Sequence, residues 1–409
     1  MPRRYLARTL EPVLARAARE FPVVVLTGPR QSGKTTLLRH LFGRSHAYVS
    51  LEPPDVQAAA NADPRGFLAT HESPVLFDEI QCAPGLLPYI KERVDERRGK
   101  RGHYILTGSQ QLLLMERVTE SLAGRAALLR LYPLSNRERS GDPARALPWE
   151  RKTLVPRALP LRRPPLALWR QLLRGGYPEP ATELRRDLTV WHGSYLQTYL
   201  ERDVRTLRQI GDLTLFQGFV RALAARSGQL LHLADLSRDL GVALNMIKAW
   251  LSVLEASYQV LILRPYFANM GKRMIKAPKV YFTDTGTLCY LVGLQDPKHA
   301  AASPMGGAIF ENAVLMEIVK GLEHRGITPR VYFWRTSYGA EVDLLVEVGG
   351  KLVPIEVKLS ATPRPAMAQG ILVFRKVFGT KALAGYVVHP GDVRLPLAPG
   401  VQALPFEEL

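Results

Sequence analysis

The 409-residue chain has only two cysteines, Cys82 and Cys289, too few for a disulfide scaffold or a cysteine-rich metal site. No apolar run approaches the ~20 residues that a membrane span needs. The opening residues, Met1-Pro2-Arg3-Arg4-Tyr5, are basic but are followed by no apolar segment, so a secretory signal is not expected. Acidic residues are in deficit: 37 Asp and Glu against 55 Lys and Arg leave a net charge of +18. Glycine and proline are scattered, with neither the period of a collagen nor the density of a low-complexity tract. With 46% hydrophobic residues the chain can bury several cores, which excludes wholesale disorder. These observations predict a soluble, cytoplasmic, multidomain protein that makes no membrane contact. Its positive charge favours an anionic partner, nucleic acid first. A solubilising arginine-rich surface explains the charge equally well unless the cations cluster.

Residues 1–140 alternate short apolar runs with helical stretches, the pattern of a parallel-sheet α/β domain. The runs are Val23–Thr27, Ala47–Leu51, Val75–Asp78, Tyr104–Thr107 and Ala126–Leu131, with helices expected at Thr35–Phe42 and Leu86–Arg98. Residues 141–225 form a Pro- and Arg-rich linker and a helical region, broken by Pro143, Pro148, Pro156, Pro160, Pro164 and Pro165. Residues 226–290 read as helix, turn, helix and two extended segments, and residues 291–409 as a further α/β domain. No internal repeat is present.

The first run leads directly into Gly28-Pro29-Arg30-Gln31-Ser32-Gly33-Lys34-Thr35-Thr36, a GxxxxGK[ST] phosphate loop between a buried strand and a helix. Its N–H groups and the positive helix end suit phosphate. Lys34 is expected at the β- and γ-phosphates of ATP, and the Thr35 hydroxyl at Mg²⁺. Val75-Leu76-Phe77 ends in Asp78-Glu79. Asp78 can complete the Mg²⁺ shell, and Glu79 can orient and deprotonate an attacking water. Tyr104–Thr107 ends in Gly108-Ser109-Gln110, a polar tip able to sense the γ-phosphate. Two roles stand open for Arg125: a finger completing a neighbouring subunit's site, or a local ion pair with Glu120.

These motifs resemble the first half of a widespread prokaryotic AAA-type ATPase family that carries a C-terminal domain of unknown function. The resemblance extends to Leu173-Arg174-Gly175-Gly176-Tyr177-Pro178, to Ser194–Val204 and to Lys279-Val280-Tyr281-Phe282-Thr283-Asp284-Thr285-Gly286. It implies a P-loop ATPase domain, a winged-helix middle and, if Arg125 acts in trans, a homo-oligomer or ring.

Leu233–Asp239 and Ala243–Ser257, joined through Gly241, have helix-turn-helix spacing. Leu244, Ile247, Leu251 and Leu254 form the expected buried stripe, leaving Asn245, Lys248, Ser252 and Glu255 outward. Val260–Leu263 and Lys279–Phe282 could pair as a wing, and Lys272, Arg273, Lys276 and Lys279 form a basic cluster able to grip duplex or branched DNA. The linker adds Arg145, Arg151, Lys152, Arg157, Arg162, Arg163, Arg170 and Arg174 against only Asp142 and Glu150.

Near the C-terminal end, Gly339–Val348 meets Lys351–Lys358 across Gly349-Gly350, a tight hairpin. If Val348 pairs with Lys351, then Asp343 faces Glu356 and Glu341 faces Lys358, all on one face. Val342, Leu344, Val346, Ile355 and Val357 then form the core face. Opposed carboxylates destabilise a sheet unless a cation lies between them, and Mg²⁺ or Mn²⁺ suits an oxygen set. Asp343 with Glu356-Val357-Lys358 resembles the PD-(D/E)xK restriction-endonuclease-like core, which implies acids on metal and a lysine at the hydrolytic water. Glu311, on the helix expected around Gly307–Leu322, is placed to join them. A salt-bridged hairpin is the alternative. The sequence therefore supports a DNA-acting ATPase with a nuclease-like domain. A nucleotide-gated switch and an ATPase-controlled defence or toxin nuclease remain as alternatives.

Overall fold

A computed structural model describes residues 5–97, 99–109, 121–151, 166–199, 212–266 and 277–409. The N-terminal layer is a five-stranded parallel sheet of β1 (Val23–Thr27), β2 (Ala47–Ser50), β3 (Val75–Asp78), β4 (Tyr104–Gly108) and β5 (Ala126–Arg130), in the order β2-β3-β4-β1-β5. All four pairings are parallel. The continuous apolar runs of β1, β3 and β4 are buried from end to end, as a sheet covered on both faces requires. This parallel α/β class is the one the alternating sequence predicts. Helix α1 (Lys34–Phe42) follows β1 directly, so the phosphate loop sits at the carboxyl edge of a central strand.

The middle of the chain is helical where described, from Ala167 to Ala224, and helices α2 (Leu233–Leu240) and α3 (Leu244–Ala256) follow. Strands β6 (Val260–Leu263) and β7 (Lys279–Phe282) pair antiparallel beside them. The buried stripe of α3 is Ile247, Trp250, Val253 and Leu254, whereas Leu244 is exposed and Leu251 only partly buried. The stripe is thus turned from the expected one, because Trp250 packs on Phe216 and Phe219 of the helix Leu213–Ala224.

The C-terminal sheet has the order β12-β13-β11-β10-β9-β8, with β8 (Val331–Arg335), β9 (Glu341–Val348), β10 (Lys351–Val357), β11 (Gly385–His389), β12 (Pro396–Ala398) and β13 (Val401–Pro405). It is mixed: β10-β11 and β11-β13 are parallel and the rest antiparallel. Helix α4 (Gly306–Glu323) covers one face, and α5 (Gln369–Phe378) packs on the other. Helix α4 is apolar nearly all round and correspondingly buried. Its few charged residues must therefore find partners, and they join the layers. Glu317 accepts from the Asn136 N–H at 2.8 Å, Lys320 donates to the Leu134 carbonyl at 3.3 Å, and Glu323 lies 3.5 Å from Arg130. One hydrophobic cluster runs from Tyr132 and Trp169 through Trp250 and Phe282 to Val346 and Leu404. No helix among the described residues is long and apolar enough to cross a membrane.

Candidate functional site

The phosphate loop folds as a tight turn over the end of β1. Gly28 has φ +145°, and a Cβ there would stand 2.2 Å from the Leu131 carbonyl oxygen, so no larger residue fits without moving β5's exit. Gly33 (φ +94°) and Gln31 (φ 58°) complete the turn between Pro29, Arg30 and the buried Ser32. Lys34 is 5% exposed and lays its ammonium across the loop, donating to the carbonyls of Gly28 (3.1 Å) and Pro29 (2.9 Å). Thr35 Oγ1 donates to Asp78 at 2.9 Å, while Thr36 faces solvent. A hydroxyl and a buried carboxylate in contact at a phosphate loop are the oxygen set that suits Mg²⁺, so the residues fit that ion.

Two residues not among the expected site residues fix Asp78. Tyr48 donates to it at 2.8 Å, and Thr107 donates to its other oxygen. Thr107 also accepts the Glu79 N–H at 3.0 Å, so one hydroxyl at the tip of β4 orients both acidic residues. The signal for Thr107 was its place as the polar end of a buried apolar run. Glu79 has φ 57°, which turns its carboxylate out of the strand toward Ser109 Oγ at 3.1 Å and Gln81 Nε2. The structure therefore brings Lys34, Thr35, Asp78, Glu79 and Ser109 together, and adds Gln81. Arg125 lies apart. Its guanidinium forms a two-pronged pair with Asp95 at 2.7 and 3.0 Å, while Glu120 lies outside the described residues. Above the site, Tyr258, with φ 60°, donates to Thr27 Oγ1 at 2.7 Å, so the segment after α3 touches the strand that carries the loop.

The hairpin pairs Val348 with Lys351 and holds that register to Leu344 and Ile355. The β8-β9 register shifts between Tyr332 and Trp334. This irregularity corrects the two-face expectation: Val342 packs with Leu345 and Leu352, while Leu344, Val346 and Ile355 enter the main core. Asp343, at the irregularity, accepts the Val357 N–H at 2.8 Å. Lys358 stands 2.6 Å from Glu356 and 3.5 Å from Asp343. Glu341 meets Lys279 at 2.9 Å and Arg335 at 3.5 Å, not Lys358. Glu311 accepts from Lys279 at 3.3 Å and from the Tyr281 hydroxyl.

Burial and then Asp343 push the Glu356 carboxyl up to about 9, against the pull of Lys358. Burial and Asp343 push Glu311 up to about 7. Burial works against the charged form of Lys358, but Asp343 and Glu356 outweigh it and keep the ammonium protonated. Lys358 thus faces both Asp343 and the raised carboxyl of Glu356. Among the described residues no group of three or more His, Cys, Asp or Glu is set to hold a metal ion. Glu311, Asp343 and Glu356 therefore do not close into the expected three-carboxylate centre: Lys279 pairs with Glu311, and Lys358 with Glu356 and Asp343. Asp343 and Glu356 remain as a two-carboxylate pair beside Lys358.

Residues 20–140 match the family described as AAA domain, and residues 166–298 and 306–409 match two domains of unknown function, DUF8612 and DUF4143. Over 399 residues the chain is 33% identical to the uncharacterized protein Rv2008c of Mycobacterium tuberculosis and to the uncharacterized protein Mb2031c of Mycobacterium bovis. Each match covers 97% of this chain and 82% of the relative. The chain belongs to their family. Its first domain is an AAA-type P-loop ATPase domain. Among solved structures the chain is similar to the Walker-type ATPase PABY2304 of Pyrococcus abyssi, with 16% identity and a TM-score of 0.41 over 69% of this chain and 94% of that one. It is also similar to the RuvB Holliday junction branch migration motor of Thermotoga maritima, with 17% identity and a TM-score of 0.32 over 63% of this chain and 89% of that one. Those two scores are too low to carry more than the likeness itself.

Within this AAA family member the basic residues are less available than their numbers suggest. Lys279, expected in an outward phosphate-gripping cluster, is 4% exposed. The alternation of β7 turns it inward beside Tyr281, where two carboxylates hold it, and this corrects the expected DNA contact. Lys272, Arg273 and Lys276 lie outside the described residues, as do Lys152, Arg157, Arg162 and Arg163. Lys248 is exposed on α3 with Asn245, Ser252 and Glu255, a face of little net charge. Several linker cations hold the chain to itself. Arg145 pairs with Asp142, Arg151 donates to the Glu408 carbonyl at 3.1 Å, and Arg174 donates to the carbonyls of Pro180 and Glu183 at 2.9 and 3.1 Å.

Proposed function

We propose that the protein is an Mg²⁺-dependent ATP hydrolase whose nucleotide state acts on duplex or branched DNA. One juxtaposition carries the hydrolytic part: Thr35 bonded to Asp78 beside Lys34, with Glu79 held by Ser109 and Gln81 one residue further on. Loop N–H groups and Lys34 bind the phosphates. Glu79 takes the proton of the attacking water, and Ser109 and Gln81 keep its carboxylate aimed. When bound at Thr35 and Asp78, Mg²⁺ supplies neutralising charge to the β- and γ-phosphate oxygens. The DNA part is supported by the net charge of +18 and the exposed Lys248. A ring-like homo-oligomer, with Arg125 released from Asp95 to a neighbour's phosphate, belongs to the same proposal. The test is the steady-state ATPase rate at low salt with no nucleic acid, duplex DNA or branched DNA, with Glu79→Gln as the blank. Stimulation by DNA is the expected result. A rate indifferent to every DNA would remove DNA from the proposal and leave a switch read by a protein partner.

A second reading, metal-dependent DNA cleavage, is favoured by the convergence of Asp343, Glu356 and Lys358. The carboxylates offer oxygen ligands and the ammonium lies beside them. Nicking of supercoiled plasmid with Mg²⁺ or Mn²⁺, lost in Asp343→Ala, is its expected outcome. Intact plasmid with the unaltered protein under both metals would sink it.

A further inference from the structure

Arg8 precedes the residues matched as AAA domain, yet it reaches the phosphate loop. It is 4% exposed. Nη1 donates to the Ser32 carbonyl at 3.0 Å and Nη2 to the Tyr132 carbonyl at 2.7 Å, while Nε lies 3.2 Å from Glu138. Glu138 is itself buried and accepts the N–H groups of Thr9 (2.8 Å) and Ser135 (2.9 Å). It also faces His324 Nδ1 at 3.2 Å. The Tyr132 N–H donates to His324 Nε2 at 3.0 Å, which leaves the ring's proton on Nδ1, directed at Glu138. Burial raises the Glu138 carboxyl, but Arg8 and His324 outweigh it and hold the group well below the usual carboxylate range. Burial keeps His324 neutral by lowering it. His324 directly follows α4, so this chain of contacts links the N-terminal segment, the ATPase domain and the C-terminal domain.

A planar trans peptide points its carbonyl and the following N–H in opposite directions. Holding the Ser32 carbonyl against Arg8 therefore turns the Gly33 N–H away from Arg8, which suits a donor to a phosphate held by the loop. We infer that Arg8 is a positioning residue for the nucleotide's β-phosphate: it touches no substrate, but it fixes the Ser32–Gly33 peptide through a guanidinium anchored by Glu138 and His324. The inference rests on the reading of this loop as an ATP site. Arginine suits this place because its planar guanidinium fork sends separate N–H groups from Nη1 and Nη2 to two carbonyls while its charge faces Glu138, whereas a lysine would offer one nitrogen on a flexible stem.

The test uses the full chain and calorimetric titration with MgADP and with AMP, which lacks the β-phosphate. Arg8→Lys keeps the charge facing Glu138 and removes the fork. MgADP affinity is expected to fall about tenfold to a hundredfold, the worth of a hydrogen bond to a charged group, with AMP affinity unchanged. A structural role alone would weaken both ligands alike, and that outcome, or unchanged MgADP affinity, overturns the inference. Where Arg8→Lys yields no folded protein by circular dichroism, Glu138→Gln is used. It leaves Arg8 in place without its fixed counter-charge, and the same β-phosphate-selective loss is expected in smaller measure. A loss there that is equal for both ligands, or absent, also overturns it. Failure of the unaltered protein to bind MgADP would instead remove the nucleotide-site reading on which the inference stands.

Discussion

Replacing Glu79 with glutamine is expected to lower ATP turnover by about 10²- to 10⁴-fold, the usual contribution of a positioned general base, while MgATP still binds. The separation follows from the geometry. Glu79 stands after β3 with φ 57°, held by Ser109 at 3.1 Å and by Gln81, whereas phosphate binding falls to the loop and to Thr35 with Asp78. A glutamine keeps the size and both hydrogen-bonding neighbours but cannot accept the proton of water. Phosphate release, read beside equilibrium binding of a fluorescent ATP analogue, separates the two effects. Turnover retained in Glu79→Gln would reduce Glu79 to a structural role. Binding lost together with turnover would mean that its carboxylate holds the site itself together.

Glu138→Ala is expected to cost about 3–5 kcal/mol of stability, the penalty for stripping one partner from a buried ion pair. Arg8 would be left buried without its carboxylate, and the Thr9 and Ser135 N–H groups without their acceptor. Urea unfolding followed by circular dichroism measures the loss. The sign of the pH dependence follows from the same contacts. Since the folded-state carboxyl lies well below its ordinary value, its stabilisation is present above that value and is lost as pH falls through the folded-state one. The acid limb of stability should therefore be shallower in Glu138→Ala than in the unaltered protein. Equal stability and equal acid limbs in the two proteins would show that the Arg8–Glu138–His324 chain carries no net free energy.

Strands β1, β3 and β4 were legible because each is a short apolar run flanked by turns, and burial on both faces leaves such runs without polar interruption; the edge strands β2 and β5 are only partly buried and were read from the alternation with helices. The nucleotide loop was legible because its glycines, lysine and threonine are consecutive. The hairpin register followed from its two-glycine turn and held from Val348–Lys351 to Leu344–Ile355. It failed at Val342, where a shift in the β8-β9 pairing, unmarked by any glycine or proline in β9, moved one residue to the other face. The stripe of α3 was rotated for a similar reason: helical spacing alone does not say which apolar side the neighbouring helix will meet.

By itself the sequence determined the class of the first domain, the phosphate loop with its two acidic partners, and the pairing that sets Asp343 near Glu356. The loop rests on consecutive residues and the hairpin on one turn, and the acidic pair was legible as the end of its own apolar run, although it meets Thr35 across the sheet. Tertiary structure alone decided where the charges end. Lys279 reads as a surface cation but is buried between Glu311 and Glu341, and the linker's Arg145 and Arg151 are spent on the C-terminal residues. Arg8 and His324 belong to no motif, yet they meet at Glu138 from opposite ends of the chain. Burial makes an unpaired charge costly, so each buried ion must find its partner wherever the fold provides one. Sequence distance places no limit on that choice.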